Sequence, residues 1–158
     1  MKKITLFLFA FFLNSQVNAQ FGCGSAVVIT SGYTATGITT PGNGGIEDWS
    51  DLPPDSAGVT NFYWEDDVYL FQYTAGATSE EISMTTVSVN GWNGIGIFSN
   101  CSGTTFSGAL DAEGTTAGNS TKTVTANIAP GQTVYIAVGQ WGDPYDLNFS
   151  VTNFTATP

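Results

Sequence analysis

Thirteen acidic side chains and no histidine set the chemistry open to this chain of 158 residues. Glu47, Asp48, Asp51 and Asp55 crowd one stretch rich in glycine and proline, and Glu65, Asp66 and Asp67 follow in a row. Carboxylates at that density can coordinate a hard cation through several oxygens. For an exported chain that cation would be calcium, with Glu47, Asp48, Asp66 and Asp67 as candidate ligands. No Asp-x-Asp-x-Asp-Gly loop is present, and the alternative is a solvated acidic rim that keeps the domain dispersed. Paired carboxylates also serve glycoside hydrolysis. Neighbours in a strand point to opposite faces, so Asp66 and Asp67 make a poor pair. Without histidine there is no Ser-His-Asp triad and no His-rich zinc site. The chain is expected to be non-catalytic.

The aromatic residues offer a second chemistry. Trp49, Trp64, Trp92 and Trp141 all fall in or beside stretches that read as loops. An exposed indole stacks on sugar rings or packs against polymer and protein surfaces. The alternative is that each caps one end of a core. Trp92 and Trp141, both in glycine-containing turns, are the least explained by core packing. With Trp49 they are the candidate ligand-binding residues.

Charge and processing signals place these residues outside the cell. Lys2 and Lys3 precede an apolar run from Ile4 to Leu13, and Val17-Asn18-Ala19 is a small-residue cleavage site. That order is the signature of a signal peptide over residues 1–19. After its removal Lys122 is the one positive side chain facing all 13 acids. Such a surface repels nucleic acid and anionic membranes, and no membrane insertion is expected of the mature chain. Cys23 and Cys101 are the two cysteines, and in an exported protein they most simply pair. Cys23 as a lipid-modified terminus is the rival reading.

The elements that must position these residues read as strands. No helical periodicity appears after residue 19, and 19 glycines and six prolines punctuate short alternating runs. That is the pattern of a sandwich or barrel. In Asp67-Val68-Tyr69-Leu70-Phe71-Gln72-Tyr73, the Asp and the aromatics share one face, and Val68 and Leu70 the other. This run is expected to be the central strand. Ala26–Thr30 and Tyr33–Thr40 read as a short strand and an edge strand. Ile82–Val89 changes its apolar face after Thr86, which suggests a bulge or a strand end. Ile95–Phe98 reads as a short buried strand. Residues 104–119 offer at most a weak strand near Phe106. Ser120–Ile128, Thr133–Gly139 and Tyr145–Phe154 alternate clearly. One β-sandwich domain over residues 20–154 is expected, with residues 155–158 as a tail or the start of a linker.

The order of four motifs resembles the bacterial pre-peptidase C-terminal (PPC) domain family. Asp67-Val68-Tyr69-Leu70-Phe71 is similar to its D-x-Y-x-F strand. Ile95 to Cys101, followed by Ser102-Gly103, is similar to its strand ending in C-x-G. Ile128 to Val138 resembles its L-x-P-G-x-x-Y-x-I-x-V hairpin, and Tyr145 to Val151 its closing strand. The resemblance implies an antiparallel, jelly-roll-like β-sandwich attached to secreted enzymes or adhesins, usually without catalysis. Some members bind calcium, and some bind collagen or insoluble polymers. The expected function is therefore a secreted binding or accessory module for an extracellular polymer, glycan or protein surface. The alternative is a structural spacer or folding module of a larger exported protease or adhesin.

Overall fold

The computed structural model describes residues 22–40, 67–103, 105–141 and 147–158. Among these residues, after a 3-10 turn at Cys23–Ser25, every element is a strand: β1 (Val27–Val28), β2 (Ala35–Thr40), β3 (Asp67–Thr74), β4 (Glu80–Ser88), β5 (Asn93–Ser102), β6 (Thr105–Thr115), β7 (Ser120–Ile128), β8 (Thr133–Gln140) and β9 (Leu147–Thr157). They form a five-stranded sheet, β1-β3-β8-β5-β6, and a four-stranded sheet, β2-β9-β4-β7. All pairings are antiparallel except β1 with β3. The chain is thus a β-sandwich, as its alternation predicts.

Period-two patterning builds the core. Tyr69, Phe71 and Tyr73 of β3, Val134, Ile136 and Val138 of β8, and Ile82 and Met84 of β4 meet Leu147, Phe149, Val151 and Phe154 of β9 between the sheets. The rings meet edge-on, Tyr69 with Phe149 at 5.6 Å and Tyr73 with Phe154 at 5.1 Å, the arrangement that ring quadrupoles favour. On the outer face of the larger sheet, Val68, Leu70, Phe98, Phe106, Ala112 and Ala137 form a second cluster. Ala26 and Cys101 pack against it. The Cys23–Cys101 disulfide, with its Cα atoms 5.7 Å apart, pins the N-terminal turn there. The pairing expected of the two cysteines is present.

Several strands differ from expectation, each for a physical reason. The centre of the larger sheet is β8, not β3. Ile136, Ala137, Val138 and Gly139 are buried in succession, as a strand covered on both faces requires. β6 is 11 residues long rather than a weak strand near Phe106. Its polar composition reflects an edge position, and a register shift at Ile97/Phe98 disrupts its alternation. β4 does not change face. Thr86 and Ser88 continue the buried series of Ile82 and Met84, while Val89 beyond them is 61% exposed. The irregularity at Thr85/Thr86 lies in the pairing with β9. β9 itself runs through Thr157 and pairs Thr157 with Glu81, so residues 155–157 belong to the sandwich rather than to a tail.

The edges are protected by carboxylates. β6 and β7 each end their sheet. Asp111 Oδ2 accepts the Thr125 backbone N–H and Glu113 Oε2 accepts that of Thr123, both at 2.7 Å. Donors that would otherwise template another strand are thereby satisfied.

At the end of the sandwich where β3 stops and β4 begins, Tyr73 Oη donates to Glu80 Oε2 at 2.5 Å. Burial, helped by this bond and by the Glu80 charge, pushes the Tyr73 hydroxyl up from 10.0 to about 12. A folded-state value above the unfolded one contributes stability that is complete below pH 10 and is lost as pH rises through 12. Tyr73→Phe is therefore expected to lower stability by about 1 kcal/mol at neutral pH. It should also flatten the alkaline loss of stability between pH 10 and 12, read from denaturant midpoints across that range.

Candidate binding site at the tryptophan end

β3, β5, β7 and β9 all begin at one end of the sandwich, where β2, β4, β6 and β8 finish. There Asn93 opposes Gln140 in the last rung of the β5–β8 ladder. Trp92 and Trp141 flank that rung, one on each strand. The Trp141 N–H donates to the Trp92 carbonyl at 2.8 Å, which extends the ladder by one bond. The two rings stand with centroids 5.0 Å apart and planes inclined at 60°. Trp92 is 47% and Trp141 38% exposed. Strand pairing thus joins two turns distant in sequence into one aromatic surface, and exposed Val89 lies in the same turn as Trp92.

The backbone under this surface is strained and tightly packed. Trp92 has φ 51°, in the left-handed region. A residue with a Cβ holds that conformation at a cost of roughly 1–2 kcal/mol, and such strain concentrates at functional sites. The turn before it is clasped by the loop between β6 and β7. The Asn119 N–H donates to the Val89 carbonyl at 3.1 Å, and the Val89 N–H to the Asn148 carbonyl at 2.9 Å. A Cβ on Gly91 would stand 2.6 Å from the Thr116 carbonyl oxygen, and one on Gly118 would stand 2.8 Å from that of Val89. Gly91→Ala is therefore expected to part the two loops, to cost about 1–3 kcal/mol and to move the Trp92 ring. Thermal melts and the near-ultraviolet circular dichroism of the tryptophans read the two effects separately.

Behind the rings the core turns polar. Thr86, Ser88, Asn93, Lys122 and Gln140 are all buried between the sheets at this end. Thr86 Oγ1, Ser88 Oγ and Asn93 Oδ1 have no hydrogen-bond partner among the described residues. Asn93 Nδ2 donates to the Asn90 carbonyl. Lys122 is 1% exposed, and its Nζ donates to Ser120 Oγ at 3.0 Å. Burial pushes the ammonium down from 10.5 to about 8, against the opposing pull of Glu113. Residue type did not mark Lys122 as buried, since a lone lysine in an alternating strand is ordinarily solvated. Its phase in β7, shared with Val124, Ala126 and Ile128, was the available signal.

Of the candidate residues, Trp92 and Trp141 are brought together and Cys23 and Cys101 are bonded. Glu47, Asp48, Trp49 and Asp66 lie outside the described residues, as do residues 1–19 of the expected signal peptide. For Asp67 the backbone is placed, opposite Gln140 in the β3–β8 ladder. Among the described residues no group of three or more acidic or thiol side chains is arranged to hold a metal, and no helix is long and apolar enough to cross a membrane. Comparison with family models, with curated proteins and with solved structures finds no match for the chain.

Proposed function

We propose that the chain is an exported, non-catalytic β-sandwich of the PPC type that binds an extracellular polymer through Trp92 and Trp141. The observation that carries this reading is the exposed ring pair, mounted on strained backbone at the end of a rigid ladder. The polymer is a neutral glycan. Lys122 is buried, so the described surface presents no side-chain cation to an anionic chain, and the acids repel one. Planes inclined at 60° form a cleft rather than a flat table. They suit a twisted or single glycan chain better than a crystalline face. In this reading calcium stabilises the domain, through Glu47, Asp48, Asp66 and Asp67, rather than contacting the ligand.

The test is sedimentation of the purified domain with insoluble neutral polysaccharides, with tryptophan quenching by their soluble oligomers. Both are run with calcium and with chelator. Binding that survives chelation and resists salt supports the proposal. Absence of binding to every neutral and charged polymer tried would leave the spacer or folding module as the better description.

A further inference from the structure

A buried tyrosine usually gives its hydroxyl a partner, and Tyr73 spends its own on Glu80. Tyr69 does not. It is 3% exposed, and neither its hydroxyl nor that of half-buried Tyr33 has a hydrogen bond among the described residues. Phenylalanine would fill the core equally well at Tyr69. We propose that a cleft between β2 and β3 binds a neutral mono- or disaccharide through the hydroxyls of Tyr33 and Tyr69. This site is separate from the tryptophan surface and does not depend on what the tryptophans bind.

Where β6 meets β7, Asp111 and Glu113 close the side of the sandwich. On the opposite side β2 ends the smaller sheet, and β1 pairs with β3 only at Phe71 and Gln72. There a cleft of about 390 Å³ is lined by Tyr33, Thr36, Gly37, Ile38, Thr39 and Tyr69. Ligand pockets span roughly 300–1,000 Å³, so the volume is sufficient for a small ligand. A bulge shapes the cleft. Ala35 opposes Val151 and Ile38 opposes Phe149, which sets three steps of β2 against two of β9. Gly37 takes the left-handed φ of 64°, and its N–H donates to Ser150 Oγ at 3.2 Å. Bulges of this kind re-aim side chains and gather beside functional sites. The two tyrosine rings are held in place, Tyr69 by Phe71 and Phe149 at 4.9 and 5.6 Å, and Tyr33 by Phe71 at 5.7 Å. Burial raises both phenols above 10.0, and the nearby Tyr33 hydroxyl adds to the rise at Tyr69. Both therefore stay protonated at neutral pH.

The lining selects the class of ligand. None of the lining residues carries a charge, so an ion would lose its hydration without a counter-charge in return. Each phenol can donate one hydrogen bond and accept others, as a sugar hydroxyl can. Thr36 adds a third hydroxyl, while Thr39 already donates to Asn148 Oδ1 at 2.6 Å and is left to accept. Ile38 and the tyrosine rings supply apolar surface for the C–H face of a pyranose. A purely apolar ligand would fill the volume but leave the Tyr69 hydroxyl buried and unpaired, which costs affinity. Fixed rings also mean that the donors need little ordering when the ligand arrives.

The experiment is a nuclear magnetic resonance titration of the protein, isotopically labelled at its tyrosine rings. The probes are cellobiose, maltose and diacetylchitobiose, with indole as the apolar comparison. Tyr33→Phe and Tyr69→Phe assign the two resonances and remove one hydroxyl each. The expected result is a saturable shift of both rings with at least one disaccharide, and an affinity roughly fivefold to tenfold lower in each variant. Tyr69→Phe should melt as high as the wild type or higher, because it deletes an unpaired buried hydroxyl. Neither ring shifting with any of the three sugars would overturn the proposal. So would a shift with indole alone, or sugar affinities unchanged in both variants, since the hydroxyls would then not be the contacts. Tryptophan fluorescence recorded in the same titrations reports the other surface, so failure of glycan binding there leaves the tyrosine result to be judged by itself.

Discussion

Substituting Trp92 or Trp141 with alanine is expected to weaken glycan binding by roughly 30-fold or more, since a central tryptophan in a binding surface contributes about 2 kcal/mol or more. The fold should barely notice. Each ring already has close to half or more than a third of its surface in water, and substitutions at such positions usually cost about 1 kcal/mol or less. Trp92→Gly makes the sharper test. Glycine accepts the left-handed φ of 51° without penalty, so relief of strain should return roughly 1 kcal/mol of backbone energy. That variant is expected to melt as high as the wild type, or higher, and to bind nothing. Oligosaccharide titrations beside melting curves check both halves. If binding and melting temperature fall together in all three variants, the rings are caps on the core and the binding proposal fails.

How much of this was legible in the sequence depends on which force placed each residue. Alternation in β7, β8 and β9 is produced by burial alone, so Val124, Ile136 and Phe149 could be assigned to the interior from their phase. The disulfide followed from having two cysteines in a chain whose N-terminal sequence reads as an export signal. The pairing of Trp92 with Trp141 was not legible. Each sits beside a glycine turn, and only the antiparallel register of β5 with β8 brings them side by side. Register is a long-range property that neither turn encodes by itself.

The polar layer was hidden for a different reason. Val87 in late β4 and Val89 just beyond the strand are the apolar residues here, and hydropathy assigns them inward. The chain instead buries Thr86 and Ser88 and exposes Val89. Strand phase set by Ile82 and Met84 outweighs the preference of one valine, because shifting it would turn every upstream side chain outward. The same phase carries Lys122 inside on the facing strand. Residues that hydropathy places wrongly are thus gathered in one corner, behind the strained tryptophan. Conflict between local preference and fold gathers where a protein has a use for it.

Removing the Cys23–Cys101 bridge should produce the largest loss of stability. The bond spans 78 residues of sequence. Closing a loop of that length in the unfolded chain corresponds to about 4–5 kcal/mol in the chain-entropy account, against a total of roughly 5–15 kcal/mol for a typical domain. The folded state also depends on it locally. Cys23 donates its N–H to the Gly103 carbonyl at 2.8 Å, and Cys101 with Ala26 packs on the outer cluster around Phe98 and Phe106. β1 is only two residues long and pairs in parallel with β3, so it has little else to hold it. Cys23→Ser with Cys101→Ser is therefore expected to lower the denaturant midpoint by about 4 kcal/mol in equivalent free energy. The inter-sheet core around Phe71 and Phe154 would remain folded. Hydrogen exchange should then be fastest in β1 and in the β5–β6 hairpin, while β8 stays protected. A loss spread evenly over both sheets would mean that the bridge acts only through the unfolded chain. A loss confined to residues near Cys23 would mean that it holds the N-terminal segment against the outer face and contributes little beyond it.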